Sequence, residues 1–142
     1  NFDYEKVKET MDGGAVFEFS IFQVPRAFKE FFKKFDTNID YYDYCILHQA
    51  NLFMLEHIRK KIKLPKEKMP ISIDRYGNTS SVSIPLTIAD LCYRKNVKEK
   101  IKFIASGFGV GLSWGVPDFI IDKRDVLPII ETDEYFKEAF TG

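Results

Sequence analysis

The chain has 142 residues, enough for one domain with a real core and too few for two ordinary domains. Lys+Arg and Asp+Glu both total 21, so the net charge is zero: no global basic field attracts nucleic acid, and no acidic block marks a solvating tail. At 45% hydrophobic and 30% charged the composition reads as soluble and globular, and the longest apolar runs, such as 101–116 with its glycines, are too broken for a spanning helix.

The first residues carry no basic, apolar, small-residue signal for secretion. They read Asn-Phe-Asp without an initiating Met, which fits a fragment. Two cysteines make no disulfide framework, so a reducing, cytoplasmic setting is expected.

In chain order, Phe17, Phe19 and Ile21 alternate with Glu18 and Ser20, a strand-like period. Pro25 suits the first turn of a helix whose apolar stripe is Ala27, Phe28, Phe31, Phe32 and Phe35. The aromatic and β-branched run 41–48 predicts a buried strand. From Leu52 the period changes to helical, with Leu55, Ile58 and Ile62 on one face and Pro65 ending the segment. Residues 71–73 predict a short strand and 74–78 a turn. A second helix is expected from near Ser83, with Ile84, Ile88, Leu91 and Cys92 inward. Residues 102–106 predict a third strand, 107–111 a glycine-rich turn, and 112–121 a returning fourth strand. Beyond Asp122 come Pro128, an acidic cluster (Glu131, Asp133, Glu134) and a short terminal helix over 135–140. There is no internal repeat. Strand, helix, strand, helix, strand, strand is an α/β layered domain.

His48 falls where a buried strand meets a helix, the usual place for functional side chains in α/β sheets. The alternative is a core histidine satisfied by a backbone carbonyl. His57 lies beside Arg59 and Lys60 and reads as a solvated helix residue. Asn78 follows Gly77, where Asn readily takes a left-handed turn. Asn78-Thr79-Ser80 also fits a glycosylation sequon, discounted because nothing points to secretion. Asn51 is placed to cap the helix from Leu52. Cys45 and His48, three residues apart on one strand, point to opposite faces and cannot form an ordinary dyad. Cys92 reads as a small core hydrophobe. The glycine run leads into a strand, so it is no dinucleotide fingerprint, although such a turn can aim a backbone N–H at developing charge.

Together, His48-Gln49-Ala50-Asn51, Gly77-Asn78-Thr79-Ser80 with Ser83-Ile84-Pro85, and Gly107-Phe108-Gly109-Val110-Gly111 with Trp114-Gly115 resemble, in order and spacing, the C-terminal half of β-ketoacyl-ACP synthase III. Met11-Asp12-Gly13 with Val16-Phe17 resembles the family's lead-in, which is helical there. That displaces the strand reading of 17–21 and makes Pro25 a break or kink. The match runs over about 11–121. It implies an α/β thiolase-like fold of two related halves, with this the second, a mixed sheet layered with helices. Residues 1–121 would form the domain and 122–142 an extension to which no role is assigned.

The resemblance further implies decarboxylative Claisen condensation of malonyl-ACP with an acyl thioester, without cofactor or metal. The first half would supply the cysteine that is acylated, and this chain, lacking it, would be inactive alone. His48 and Asn78 match the decarboxylation pair, donating to the thioester carbonyl as the enolate forms. His48 would then be neutral, with its proton on the nitrogen facing substrate and its other nitrogen accepting a hydrogen bond. Val110 matches the backbone N–H of the oxyanion hole. Gln49, Ala50, Asn51, Leu52 and Phe53 match the segment contacting carrier protein and pantetheine. Implied partners are acyl carrier protein, an acyl-CoA or acyl-ACP donor, and a second copy held through the first half, with neither nucleic acid nor membrane.

One departure stands out. The family commonly has Arg where this chain has Phe53, and Phe cannot replace a charge-assisted contact to phosphate or carrier acid. This points to a carrier-borne donor, unless Arg59, Lys60, Lys61 and Lys63 compensate. Two other readings are an acyltransferase acting on an amine or hydroxyl and a non-catalytic partner subunit. Retention of both His48 and Asn78 favours condensation.

Overall fold

The computed structural model describes residues 13–109 and 111–134. Met11, Asp12, Val110 and the terminal helix expected over 135–140 lie outside the described residues. Helix α1 spans Gly13–Lys34. It overturns the strand period at 17–21: Ser20, an outward residue in that reading, is fully buried and donates its hydroxyl to Val16 O at 2.7 Å. Ser20, Val24 and Phe28 recur every four residues as the buried line, and Lys33 and Lys34 complement the carbonyl end. Pro25 neither starts nor ends the helix, which runs on through it. Phe35, counted in the apolar stripe, lies beyond the helix and is 58% exposed.

Strand β1 is Tyr44–Leu47, shorter than expected because Ile39–Tyr41 form a tight 3-10 turn capped by Asn38. Lys68 Nζ steadies that turn by donating to the Ile39 and Tyr42 carbonyls at 3.3 and 2.9 Å. Helix α2, Leu52–Lys61, starts at its Asn51 cap, whose side chain accepts the Met54 N–H at 2.8 Å. Residues 71–73 form no strand. The Ser72 and Ile73 N–H groups bond the Gln49 side chain instead of a neighbouring strand, and a helical turn, α3, Ile73–Tyr76, follows. Helix α4 is Ser83–Arg94.

Strand β2, Lys100–Gly109, is the centre of the sheet. It pairs parallel with β1 (Leu47↔Ser106) and antiparallel with β3, Ser113–Gly115, and β4, Asp118–Asp122. Gly107 and Gly109 belong to this strand, so the turn is narrower than expected and centres on Gly111, whose φ of +110° suits glycine. The return is split into two strands at Pro117, which has no N–H for the ladder but accepts from Ala105 N–H at 2.9 Å.

Alternation along β2 builds two cores. Ile104 and Phe108 join Cys45, Leu47, Leu55 and Ile58 under α1 and α2. Ile101, Phe103 and Ala105 join Ile46, Ile88 and Leu91 under α4. The sheet is therefore covered on both faces, which is why β1 reads as an unbroken apolar run. Past Asp122 the chain stays attached: Lys123 N–H donates to Glu99 O at 2.7 Å, and Val126 packs on the second core.

Candidate active site

At the carboxyl end of β1 the chain leaves the sheet, and the N-terminal ends of α2 and α4 and the loop after α3 converge there on a cavity of about 1040 Å³. His48 and Asn78 both line it, as do Ala50, Asn51, Gly107 and Gly109. Two segments far apart in sequence thus line one cavity.

His48 is fixed at three points. Its N–H donates to Ser106 O at 2.9 Å, its ring packs edge-on against Phe108 with centroids 5.4 Å apart, and Nδ1 lies 2.7 Å from Ser83 Oγ. Burial lowers the imidazole pKa, and a hydrogen bond to the Ser80 backbone offsets only part of that, so the ring is neutral at pH 7.

Asn78 is aimed by its own loop. Its Oδ1 accepts the Ser80 N–H at 2.9 Å, which turns the amide nitrogen toward the Ala50 carbonyl, 3.5 Å away and too far for more than a weak bond. The left-handed residues are Gly77 and Ser80 (φ +68° and +53°), not Asn78 as its sequence context suggests. A left-handed serine is strained by about 1–2 kcal/mol, and the Asn78 contact helps hold it. Asp90, in α4, is 4% exposed and gathers Arg75 Nη2 at 2.6 Å, Arg94 Nε at 2.8 Å and Tyr76 Oη at 2.9 Å. Burial alone would raise the Asp90 pKa, but these three donors outweigh it and hold the carboxyl ionised. The turn delivering Gly77 and Asn78 is therefore pinned to α4.

The segment 49–53 divides. Ala50 and Asn51 line the cavity, although the Asn51 oxygen is committed to its cap. Gln49 does not: it is fully buried, donates to Leu47 O at 2.8 Å and accepts from Ser72 and Ile73 N–H at 3.0 and 3.3 Å. Expected as a ligand contact, it is an internal strut between the His48 and Asn78 segments. Leu52 and Phe53 stand on the exposed first turn of α2, with Phe53 stacked on Phe17, a cavity-lining residue, at 5.7 Å. Val110 lies outside the described residues. Cys45 is fully buried and Cys92 half-buried, neither lines the cavity, and burial raises both thiol pKa values.

Sequence reasoning assigned no role to Ser83 or Trp114. Ser83 opens a helix, the usual signature of a cap, which hid its contact with His48. Trp114 lines the cavity and packs edge-on against Phe19 at 4.9 Å. Among the described residues, no group of His, Cys, Asp or Glu is placed to hold a metal ion, and no helix is long and apolar enough to cross a membrane.

A mixed sheet with helices on both faces, superposable on solved synthases of this kind, is a thiolase-like half. The chain belongs to the family described as 3-oxoacyl-[acyl-carrier-protein (ACP)] synthase III C terminal, which it matches over residues 32–117. It is 39% identical over 105 residues to a beta-ketoacyl-[acyl-carrier-protein] synthase III of Prochlorococcus marinus (strain MIT 9215), covering 74% of this chain and 31% of that protein. With the enzyme of that name from Porphyra umbilicalis it shares 38% over 112 residues, 79% of this chain and 34% of the other. The crystal structure of a 3-oxoacyl-(acyl-carrier protein) synthase from Burkholderia xenovorans LB400 superposes with a TM-score of 0.75 at 35% identity, covering 92% of this chain and 39% of that one. The chain thus spans about a third of the length of the curated relatives it matches.

Proposed function

We propose that this domain is the decarboxylating half of a 3-oxoacyl-ACP synthase III-type condensing enzyme. Its substrate is malonyl-ACP, and its reaction partner is an acyl thioester on a cysteine supplied by the other half. The observation that supports the reading is that His48 and Asn78, far apart in sequence, both line a single cavity. Each donor should lie about 3 Å from the malonyl thioester oxygen. The C–COO⁻ bond breaks, CO₂ departs, and the electron pair moves into an enolate whose oxygen both donors stabilise. Two neutral donors fixed before the charge appears favour the transition state over the bound substrate. The enolate carbon then attacks the acyl-cysteine carbonyl, forming the new C–C bond and expelling the thiolate. The Val110 backbone N–H, by family resemblance, would hold the oxyanion of that second step.

The carrier partner and the acyl-transferring class follow from the names of the relatives. Ala50 and Asn51 are the residues best set to meet the pantetheine arm. Assembly as a homodimer through the other half, a cytoplasmic setting, and a boundary near 121 with an extension after it belong to the same proposal.

In the assembled enzyme, this chain joined to a cysteine-bearing first half, His48→Ala or Asn78→Ala should each slow malonyl decarboxylation by about two to three orders of magnitude. Acylation of the partner cysteine should fall far less. The 142-residue chain alone, incubated with labelled acyl-CoA, should form no covalent adduct by mass. Unchanged decarboxylation in both variants, or stoichiometric acylation of Cys45 or Cys92, would overturn the reading.

A further inference from the structure

We propose that Ser83 is a positioning residue that selects the working tautomer of His48: its hydroxyl donates to Nδ1 and leaves the ring proton on Nε2. The proposal rests on the reading of His48 as a donor to a thioester oxygen.

The argument is an accounting of protons. Ser83 is 1% exposed and opens α4. Among the described residues its Oγ has two hydrogen-bond neighbours, the Gln49 backbone N–H at 3.3 Å and His48 Nδ1 at 2.7 Å. A backbone N–H can only donate, so Gln49 occupies a lone pair of Oγ and offers nothing to the serine hydrogen. That hydrogen needs an acceptor, and of the two neighbours only Nδ1 can be one. Were Nδ1 protonated, Oγ would receive two donors and its own O–H would be buried without a partner, an arrangement native interiors avoid.

The geometry is also held. Thr87 donates its hydroxyl to Ser83 O at 2.7 Å and in turn lies 2.7 Å from Ser72 Oγ, so the first turn of α4 is tied to the loop before Asn78. The Phe108 edge contact restrains the ring on another side. The N-terminal end of α4, carrying partial positive charge, further disfavours an imidazolium. A neutral imidazole has one N–H; if it sat on Nδ1, the nitrogen left for substrate would be an acceptor and would repel the forming enolate.

The test reads the tautomer directly. The chain contains only His48 and His57, so ¹⁵N-labelled imidazole couplings are assignable with a His57→Gln control. In the wild-type chain, or in the assembled enzyme, Nε2 of His48 should be the protonated nitrogen. Ser83→Ala should mix the tautomers, and Ser83→Thr, which keeps the hydroxyl, should restore the wild-type pattern. In the assembled enzyme Ser83→Ala should lower kcat for malonyl decarboxylation roughly tenfold with KM unchanged, and Ser83→Thr should recover most of it. An Nδ1–H tautomer in the wild type, shared with Ser83 and the Ser80 backbone, would overturn the proposal. So would a Ser83→Ala spectrum identical to wild type. These outcomes are separate from the role of His48 itself, which fails if His48→Ala decarboxylates normally whatever its tautomer.

Discussion

Replacing Phe53 by Arg tests whether the exposed first turn of α2, beside the cavity-lining Phe17, selects the acyl donor. Phe53 is 69% exposed, so its loss removes little buried apolar area. What it does lose is the stack on Phe17, with rings 5.7 Å apart and 25° from parallel, worth about 0.5–1.5 kcal/mol. At about 2–4 °C per kcal/mol for a domain near this size, Tm should fall by no more than a few degrees. The functional change should run the other way. A guanidinium at the start of α2 can meet a nucleotide phosphate, and a charge-assisted hydrogen bond contributes about 1.5–3 kcal/mol, roughly tenfold or more in affinity. Phe53 does not line the cavity, so such a contact would be remote from the reacting carbon, should serve ground and transition states alike, and should appear in KM rather than kcat. The assay is steady-state kinetics of the assembled enzyme with matched acyl-CoA and acyl-ACP donors. The wild type should prefer the carrier-borne donor, and Phe53→Arg should narrow that preference by lowering the acyl-CoA KM. Equal acyl-CoA KM values in both variants, with no donor preference in either, would show that this position does not meet phosphate or that Arg59, Lys60, Lys61 and Lys63 already do.

Two further outcomes follow from the site. Asp90→Asn keeps the shape of the side chain but removes the charge that Arg75 and Arg94 share, at 2.6 and 2.8 Å. It should cost about 1–3 kcal/mol in denaturant unfolding, less than a fully buried pair because both arginines remain partly exposed, and should lower decarboxylation by loosening the turn before Asn78. Burial holds the His48 pKa below its usual 6.5, so the imidazole is less protonated at pH 6.5 than a free one. Decarboxylation should persist below pH 6.5 and fall only further toward acid, and the small stability linked to this ring should be full above pH 6.5 and lost as pH falls through the lowered value. An activity loss centred at or above pH 6.5 would contradict a buried neutral ring.

The elements that were legible in the sequence are those whose side chains repeat with a period and bury one face. The helix from Leu52 and the helix from Ser83 were read from Leu55, Ile58, Ile88 and Leu91, and each is buried as expected. The lead-in failed by period alone because Phe17, Phe19 and Ile21 suit a strand, while the residue that decides the matter, Ser20, is polar and hides its hydroxyl on the carbonyl of the preceding turn. Residues 71–73 look like a strand because β-branched residues flank Ser72. Whether such a run pairs depends on what meets its N–H groups, and here a glutamine from another segment does.

The same cause limits what a sequence says about the site. His48 and Asn78 are visible as motif positions, but the groups around them are side chains bonded across many residues, to backbone (Gln49 to Ser72, Ser83 to Gln49) or to another side chain (Arg75 and Tyr76 to Asp90). Such bonds leave no periodic trace. They also explain why Gln49 reads as a ligand contact when it is a strut, since both roles call for a polar residue next to the same histidine. In this domain the residues that line the cavity and the residue that braces them alternate along one stretch: His48 and Ala50 face the cavity, and Gln49 between them is buried in the interior. Gln49 ties the backbone on both sides together, so the relative placement of His48 and Asn78 depends on the packed interior as well as on the loops that carry them.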